Sequence, residues 1–501
     1  MQKRDIFADA GLLDRLSIFT FLWASQAMVH QQYFKYWIEN GEILGAVVTV
    51  FAFATFLRPT SLVLLCGLLI SSMTATYVHK MPNVPNHIFL EAVMHLIILL
   101  AIVRTVVVNR KSLRISPKNW EQFGIVQPEQ REKLFASFAP ILTTLLLIVY
   151  FFATLHKINS DFLNAQVSCG AQFYLEDLVD RFPFLPTAEW AQNAAIWGTL
   201  IMEGGLFLTL AIKRLRPIGF FIGLPMHLIF GIVGHHTFSA FAFALYFLFL
   251  SEDFTAFVFR LRDKLQRRFQ ISDIATSFFR LRLAAAAFCM VLTLRAISGY
   301  YFSGIPGLKA GYTIEKAIWF FWATVLMLVA FYVVIDKIKS HGLHRETVVS
   351  FQPPLFMWVF VVLVGINGML PYLGLKTIPC FSMYSNLRTE GENPNHLFMP
   401  TMLKIFNETD DLVEIHYADI QRFSVYTEKE LYLPYVEFRR RVFDATEDFT
   451  MLYSRNGNPH YLQRINGVLE GDEIPEPLSP VYSKFVYFRP VNKRPLMDCR
   501  H

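Results

Sequence analysis

The feature that most constrains this chain is a series of long apolar stretches that recurs from residue 13 to about residue 370. Stretches of about 20 apolar residues can cross the hydrocarbon core of a bilayer as helices. The stretches of this kind are 13–33, 43–57, 60–78, 88–108, 134–155, 193–212, 218–234, 238–250, 283–302, 315–335 and 355–370. Because 43–57 and 238–250 are short, we expect about nine to eleven membrane segments.

Composition points to the same class of protein. Hydrophobic residues make up 54% of the chain and charged residues only 17%, a balance too apolar for an ordinary soluble protein. After residue 371 the sequence becomes polar and mixed, and runs such as "DLVEIHYADI" and "SKFVYFRPV" predict strands around a helix at 433–445. We therefore predict an all-α polytopic membrane bundle over residues 1–370 and an outward-facing, β-rich extramembrane domain over 371–501.

Basic residues predict the orientation of this bundle. They collect in the connections 110–118, 213–216, 260–268 and 337–345, and Lys and Arg accumulate in cytoplasmic loops. The acidic connection 158–192 and the C-terminal domain then face the opposite side. The formal charge of +6 is explained by these connections and by the lipid bilayer, without a nucleic-acid partner. We predict a multi-pass protein of the bacterial inner membrane, or of the endoplasmic reticulum in a eukaryote.

The five cysteines do not form a framework of disulfides or a metal motif, because none lies in a C-x-x-C pair. Cys169, Cys380 and Cys499 fall on the predicted outer side, where a disulfide persists if that side is periplasm or lumen. They permit one bridge, and the sequence leaves its pairing open.

Ionisable residues cluster at the predicted outer ends of the apolar stretches. Such groups are costly within a membrane and usually have a function, so we expect a shared outward cavity. Taken singly, each has a simpler interpretation, because a lysine at a helix end commonly reaches the interface and a lone histidine is more often a hydrogen-bonding residue. We predict no metal, since the adjacent pair His235 and His236 lacks helical ligand spacing. The residues in question are His87, His156, Lys157, His235 and His236 at the ends and His95 and His227 deeper.

Lys157 lies in "YFFATLHKINSDF", where an aromatic helix runs into a basic pair. Desolvation disfavours the ammonium form of a lysine, so a buried lysine can act as a neutral amine. Such an amine could deprotonate a phenol or hydroquinone while histidines donate to the developing oxyanion. The Phe-rich and Leu-rich surroundings suit a lipophilic substrate.

Three segments resemble the vitamin K-dependent gamma-carboxylase-like family, with its HTTM-type membrane domain. "YFFATLHKINSDFL" places Lys157 where that family has its catalytic base. "PNHIFLEAVMHLIILL" and "PMHLIFGIVGHHTFSAFAF" place His87 and His227 at functional family histidines, and the order and spacing of the segments agree. The resemblance covers about residues 10–370 and extends loosely into the tail.

The resemblance implies a membrane carboxylase. A lysine deprotonates reduced vitamin K or menaquinol, O2 addition generates a strong base, that base removes a glutamate γ-proton, and the carbanion captures CO2 while the quinone leaves as its epoxide. No metal is needed, and the acceptor is a glutamate-containing peptide or protein. The implied catalytic residues are Lys157, His87 and His227. The expected residues of the quinone pocket are His156, His95, His235, His236, Asn386 and Arg388.

Two departures from the family pattern leave alternatives open. In "SMYSNLR" a functional family histidine falls near Asn386, and an amide forms hydrogen bonds but does not titrate. His156 stands where the family has a second lysine. A quinone-dependent enzyme without glutamate carboxylation is one alternative, and a membrane transporter or scaffold is another. Transport is the weaker hypothesis, because the ionisable groups lie at one end of the segments and the two halves show no similarity.

Overall fold

The protein is described by a computed structural model over residues 14–29, 43–111, 113, 115–270, 274–301, 307–341, 352–391, 393–399 and 403–499. Helices make up most of the chain as far as Leu373, and the strands lie between Leu412 and Asn492. The predicted order of a helical region followed by a β-rich C-terminal part is confirmed. The helices up to Leu373 are α1 (Arg15–Val29), α2 (Leu44–Leu57), α3 (Leu62–Ala75), α4 (Asn86–Asn109), α5 (Pro128–Lys157), α6 (Cys169–Gln172), α7 (Glu189–Ala211), α8 (Arg216–Phe230), α9 (His236–Phe249), α10 (Ser251–Phe269), α11 (Ile274–Tyr301), α12 (Gly307–His341) and α13 (Trp358–Leu373).

Seven helical segments among the described residues are long and apolar enough to cross a membrane. These segments are Leu62–Lys80, Asn86–Asn109, Pro128–Lys157, Glu189–Ala211, Lys213–Phe249, Trp319–Lys339 and Leu355–Leu373. The expectation of about nine to eleven segments stays a prediction. The predicted segment 13–33 is described only from residue 14 to Val29, and the basic residues after 341 lie outside the described residues.

The chain divides into two compact units. The first comprises Met1–His79, Leu90–Leu147 and Leu208–Val361, and the second comprises Lys80–Phe89, Ile148–Phe207 and Val362–His501. Aromatic side chains fill the core of the first unit, where Phe19 lies 5.3 Å from Phe138 and Trp23 lies 5.7 Å from Phe241 between ring centroids. Tilted and edge-on ring pairs at these distances stabilise a core beyond the area that they bury.

The basic stretch 260–268, predicted as a loop, is part of helix α10. Phe254 and Phe257 on this helix contact Phe247 and Tyr332, at 5.4 and 5.3 Å between ring centroids. Apolar residues at helical spacing therefore hold one face of α10, while Arg262 is half-buried and the other basic residues, Arg260, Lys264, Arg267 and Arg268, are exposed. The prediction of an irregular connection was wrong at this point.

The second unit contains an antiparallel sheet of six strands in the order β5-β4-β3-β1-β2-β6. Alternate residues of β1 point into the core, and a register shift between Ile415 and Tyr417 brings Ala418 to the same buried side. Helix α15 buries Phe438 and Val442 in the core that the sheet provides. The strands are β1 (Leu412–Ala418), β2 (Leu431–Pro434), β3 (Phe449–Arg455), β4 (Asn458–Ile465), β5 (Val468–Gly471) and β6 (Val491–Asn492), and the helices among them are α14 (Gln421–Glu428), α15 (Tyr435–Phe443) and α16 (Pro480–Phe485).

Two Asn-Gly pairs form the hairpins of this sheet. Asn456 and Gly457 join β3 to β4 with φ of 52° and 77°, and Asn466 and Gly467 join β4 to β5 with φ of 50° and 80°. Positive φ at both central residues is typical of the two-residue turns that match the twist of paired strands. These turns set the register of strands β3, β4 and β5.

The predicted helix at 433–445 is confirmed as α15, and the run "DLVEIHYADI" contains strand β1 as predicted. The run "SKFVYFRPV" differs from its prediction, because its first residues end helix α16. Ser479 caps that helix by accepting a hydrogen bond from the amide of Tyr482 at 3.3 Å, and Pro480 occupies its first position. In the described part of this run, strand-type pairing is limited to a bridge from Tyr487 to Ile378 and to the first residue of the short β6.

Candidate functional site

Lys157 forms a buried ion pair at the last residue of α5. Its Nζ donates to Oε2 of Glu203 on α7 at 2.8 Å and to the carbonyl oxygen of Ala153 at 3.2 Å. The two side chains are 3% and 13% exposed. A lysine at a membrane helix end commonly extends to water, whereas Lys157 is held inside the second unit. The pair therefore combines a proton donor and a proton acceptor in one shielded position.

Asn159 fixes the backbone that follows Lys157. Its Nδ2 donates to the carbonyl oxygens of His156 at 2.7 Å and Ser385 at 2.6 Å, and its Oδ1 accepts from the amides of Asp161 and Phe162. The carbonyls in the last turn of a helix lack partners within the helix, and the first of these bonds satisfies one of them. One fully buried amide side chain thus ends α5 and holds the turn after it.

His156 turns toward α13 and not toward Glu203. Its Nε2 lies 3.1 Å from the carbonyl oxygen of Gly368, which requires that this nitrogen carry the proton and donate it. The imidazole is fully buried and lies 5.4 Å from Phe152 and 5.5 Å from Tyr372 between ring centroids. His156, the other member of the basic pair, therefore belongs to an aromatic layer beside Lys157.

A buried polar network surrounds Asn386 and Arg388. Asn386 accepts a hydrogen bond from the amide of Cys169 at 2.7 Å and donates to the carbonyl oxygens of Val167 and Met497. Arg388 donates to the carbonyl oxygens of Arg494 and Pro495 at 2.8 and 3.1 Å. Both side chains are thus hydrogen-bonded to backbone groups. The predicted role of Asn386 and Arg388 in a quinone pocket stays a prediction.

Asp161 and Asn395 complete this network. Oδ2 of Asp161 accepts from Nδ2 of Asn395 at 2.8 Å and from the amide of Met497 at 2.9 Å. Nδ2 of Asn395 also donates to the carbonyl oxygen of Asn386. Since buried polar groups are stable only with partners, this network binds the segment after Lys157 to chain segments more than 200 residues away.

A disulfide joins Cys169 to Cys499, across 330 residues of sequence. Cys380 is a buried free thiol, and burial raises its pKa to about 12. The structure thus selects one of the pairings that the sequence left open. The bridge lies in the same unit as Lys157 and adjoins the amide of Cys169 that bonds to Asn386.

The remaining predicted site residues are distributed over both units. His87 belongs to the second unit, where it is partly buried in the first turn of α4. His95, His227, His235 and His236 belong to the first unit. His95 is 1% exposed, with Nε2 3.4 Å from Oε1 of Glu91, and His227 is fully buried against the rings of Phe238 and Tyr246.

His235 and His236 lie at a bend between α8 and α9. Gly234, immediately before them, has φ of 131°, a conformation open to glycine and strained for other residues. His236 begins α9 and is 4% exposed, with its ring 6.4 Å from that of Trp319. Across the described ranges, no group of three His, Cys, Asp or Glu side chains is arranged to hold a metal ion.

Glu203 is the residue of this site that the sequence analysis missed. It stands in "IMEGGLFLTL", a lone acid within the apolar helix α7. An isolated carboxylate in such a helix is itself a signal, since it needs a partner or a function. What the sequence does not contain is the identity of that partner, which depends on how α5 and α7 pack.

Comparisons of the chain with protein-family models, with curated proteins and with solved structures give no match.

Proposed function

We propose that this chain is an integral-membrane enzyme that deprotonates a reduced quinone at Lys157 and Glu203 and uses that chemistry to carboxylate glutamate. The observation that carries the proposal is the ion pair between these residues, at 2.8 Å and with both side chains shielded from water. Within membrane helices, ionisable side chains that pair with one another commonly mark proton pathways and substrate sites.

The pair can take up one proton whichever form it adopts. As ammonium and carboxylate, it accepts the proton on Glu203, and as amine and carboxylic acid, it accepts the proton on Lys157. The product in both cases is an ammonium beside a neutral acid, with a single positive charge. That charge balances the oxyanion that a hydroquinone leaves when it gives up its proton. Lys157 therefore acts together with Glu203 and need not begin as an isolated neutral amine.

The side chains beside Lys157 are of the kind that would contact a quinone ring. Phe152, His156 and Tyr372 form an aromatic layer, and Nζ of Lys157 lies 6.0 Å from the ring centroid of Phe162. Among the described residues the buried hydroxyl of Tyr372 has no hydrogen-bond partner. An aromatic site with one unused hydroxyl donor suits a flat, lipophilic molecule with ring oxygens.

The co-substrates follow from the resemblance to the gamma-carboxylase-like family. Reduced vitamin K or menaquinol would supply, with O2, the strong base for glutamate, so that one quinol, one O2 and one CO2 yield quinone epoxide, water and a carboxylated glutamate. For this chain we assign proton uptake to Lys157 and Glu203 and hydrogen-bond donation to His87, and the role of His227 stays the one that the resemblance implies. The buried position of Lys157 keeps water from a base of that strength.

The proposed location is the bacterial inner membrane, or the endoplasmic reticulum membrane in a eukaryote, with the C-terminal domain outside or in the lumen. The disulfide between Cys169 and Cys499 supports this orientation, because disulfides persist in oxidising compartments. The partners are then the bilayer, a lipophilic quinone and a glutamate-containing peptide or protein.

The test is incorporation of labelled CO2 into a glutamate-containing peptide by purified protein with reduced vitamin K or menaquinol and O2. Quinone epoxide is measured in the same samples. We expect Lys157→Met to lower both products at least about a hundredfold, the usual contribution of a positioned acid or base. The matched control is Lys133→Met, which removes a lysine of the same helix that pairs with Glu129 at the exposed surface.

Each result has a distinct meaning. Epoxide without carboxylated peptide would replace the carboxylase proposal with that of a quinone-dependent enzyme without glutamate carboxylation. Neither product from a folded protein that binds the quinone would reject both and favour a transporter or scaffold. An equal loss of product in Lys157→Met and Lys133→Met would contradict the assignment of Lys157 as the base.

A further inference from the structure

Lys376 is a second buried lysine of the second unit, and it lies outside the membrane-spanning segments. It follows α13 by three residues, is 4% exposed, and has its Nζ 5.4 Å from the ring centroid of Phe89. Within the described chain, no hydrogen bond or ion pair engages this ammonium. Lys157 is balanced by Glu203, whereas Lys376 has no acid of its own.

A second cation, Arg489, shares Cys380 as a neighbour with Lys376. The chain at 377–378 pairs with Tyr487, and the amide of Arg489 donates to Oγ1 of Thr377 at 3.3 Å. The thiol of Cys380 donates to the carbonyl oxygen of Lys376 at 3.6 Å and interacts electrostatically with both Lys376 and Arg489. One buried thiol therefore interacts with two cationic side chains from segments distant in sequence.

The charge of this cluster is incompletely balanced by the described residues. Arg489 is 7% exposed, and its nearest carboxylate is that of Glu390, with Nε and Oε1 3.9 Å apart. This distance is too long for a hydrogen bond. Glu390 also interacts with Arg388, which has Asp161 as a second acidic neighbour. Burial lowers the pKa of Lys376, which is the expected response of an ammonium without a counter-ion.

We propose that Lys376 and Arg489 bind the carboxylate of the acceptor glutamate, an assignment that rests on the proposed carboxylase function. A carboxylate would supply the missing negative charge. The guanidinium matches its planar geometry, and the lysine adds a compact charge. The ring of Phe89 offers an apolar surface for the methylene groups of a glutamate side chain. Since both cations are already buried, binding replaces an uncompensated charge by a pair.

The test measures binding without turnover, so that it stands apart from the carboxylase assay. A fluorescent glutamate-containing peptide is titrated into protein in nanodiscs of phosphatidylcholine, which carry no anionic headgroups. We expect Lys376→Met to weaken binding at least tenfold and Lys376→Arg to retain most of it. In wild-type protein, a peptide with Gln in place of Glu should bind at least tenfold more weakly, and glutarate should compete with the Glu peptide.

The control variant is Lys404→Met, which removes a lysine that pairs with Asp410. Equal binding by wild type and Lys376→Met, or equal binding of the Glu and Gln peptides, would overturn the proposal. If Lys376→Met fails to fold, the comparison of the two peptides on wild-type protein decides the question alone. Peptide binding that depends on Lys376 in a protein without carboxylase activity would support this site while rejecting the proposed reaction.

Discussion

At the scale of single residues, the chemistry of the site depends on a carboxylate within hydrogen-bond distance of Lys157. Glu203→Gln keeps the size of the side chain and its ability to accept a hydrogen bond from Nζ, but it removes the proton acceptor. We expect hydroquinone-dependent turnover to fall about a hundredfold. The measurement is kcat as a function of pH, and Glu203→Asp should restore part of the rate with an altered pH profile.

The matched control for this change is Glu189→Gln, at the exposed first residue of the same helix. It should leave the rate within about twofold of wild type, since an exposed acid makes little difference to a buried proton transfer. Wild-type kcat in Glu203→Gln would show that Lys157 works without its partner.

His396 forms hydrogen bonds that join the last turn of α5 to residues 398–399, and these bonds depend on pH. Its Nδ1 accepts from the amides of Phe398 and Met399, so Nε2 carries the proton and donates to the carbonyl oxygen of Leu155 at 2.9 Å. Burial lowers the pKa of His396 from its usual value near 6.5. The unfolded form then binds the proton more readily, and the contribution to stability is complete above pH 6.5 and declines as pH falls through the folded pKa.

We therefore expect the amide of Met399 to lose hydrogen-exchange protection as pH falls below 6.5 through the folded pKa of His396, after correction for intrinsic exchange. Protonation of Nδ1 removes the acceptor of this amide. Backbone amides of the central strand β3 serve as the internal reference and should keep their protection. Parallel behaviour of Met399 and β3 would indicate a global effect of pH and not the loss of this contact.

At the scale of elements, α5 and α13 approach closely at a glycine. A Cβ added at Gly368 would lie 2.3 Å from the ring of Phe152, and the carbonyl oxygen of Gly368 accepts the hydrogen bond from His156. Phe152 is itself buried, so its ring has little room to move. The absence of a side chain at Gly368 is what allows the aromatic layer beside Lys157 to form.

Gly368→Ala should destabilise the protein by about 1–3 kcal/mol, because overpacking a filled core forces side chains and backbone to shift. Gly365→Ala is the matched control one helical turn away, where an added Cβ meets nothing within 4 Å. Thermal unfolding of the purified proteins in detergent compares the two. Similar melting temperatures for both variants would mean that the ring of Phe152 adapts at low cost.

At the scale of the whole molecule, the sequence predicts the classes of structure better than their contacts. Apolar length predicts the spanning helices, and alternation predicts β1, because both patterns are local. The two Asn-Gly pairs were available signals for the hairpins of the sheet. The partner of Lys157, the burial of Asp161 and the pairing of Cys169 depend on residues distant in sequence, and no periodicity encodes them.

The strand predicted at 483–491 was wrong for a local reason. The run at 483–491 has the composition of a strand, yet its first residues complete a helix that the preceding Ser479 and Pro480 start. Local start signals prevailed there over strand propensity, which is strongly dependent on context. The predicted functional residues His87, His95 and His227 keep their proposed roles as predictions.

The disulfide acts at this largest scale. Cys499→Ser should lower the melting temperature, because the closed loop between Cys169 and Cys499 contains 330 residues and chain entropy alone gives an upper limit of roughly 6 kcal/mol. Reductant should lower the melting temperature of wild type toward that of the variant and leave the variant unchanged. Cys66→Ala, at a free cysteine, should remain sensitive to reductant. A variant that melts like wild type would assign the stability of this region to the hydrogen bonds of Asn386 instead.

The network around Asp161 also sets an order in time. The carboxylate of Asp161 takes its bonds from Asn395 and from the amide of Met497, residues that a ribosome reaches long after it has made α5. At about 5–20 residues per second, the 330 residues that separate Cys169 from Cys499 occupy roughly 15–65 s of synthesis. Until Met497 is made near the end of that interval, the bonds that hold the carboxylate of Asp161 are incomplete. The helices that bear Lys157 and Glu203 are thus in place before their support, and the site matures only as the C-terminal part of the chain arrives.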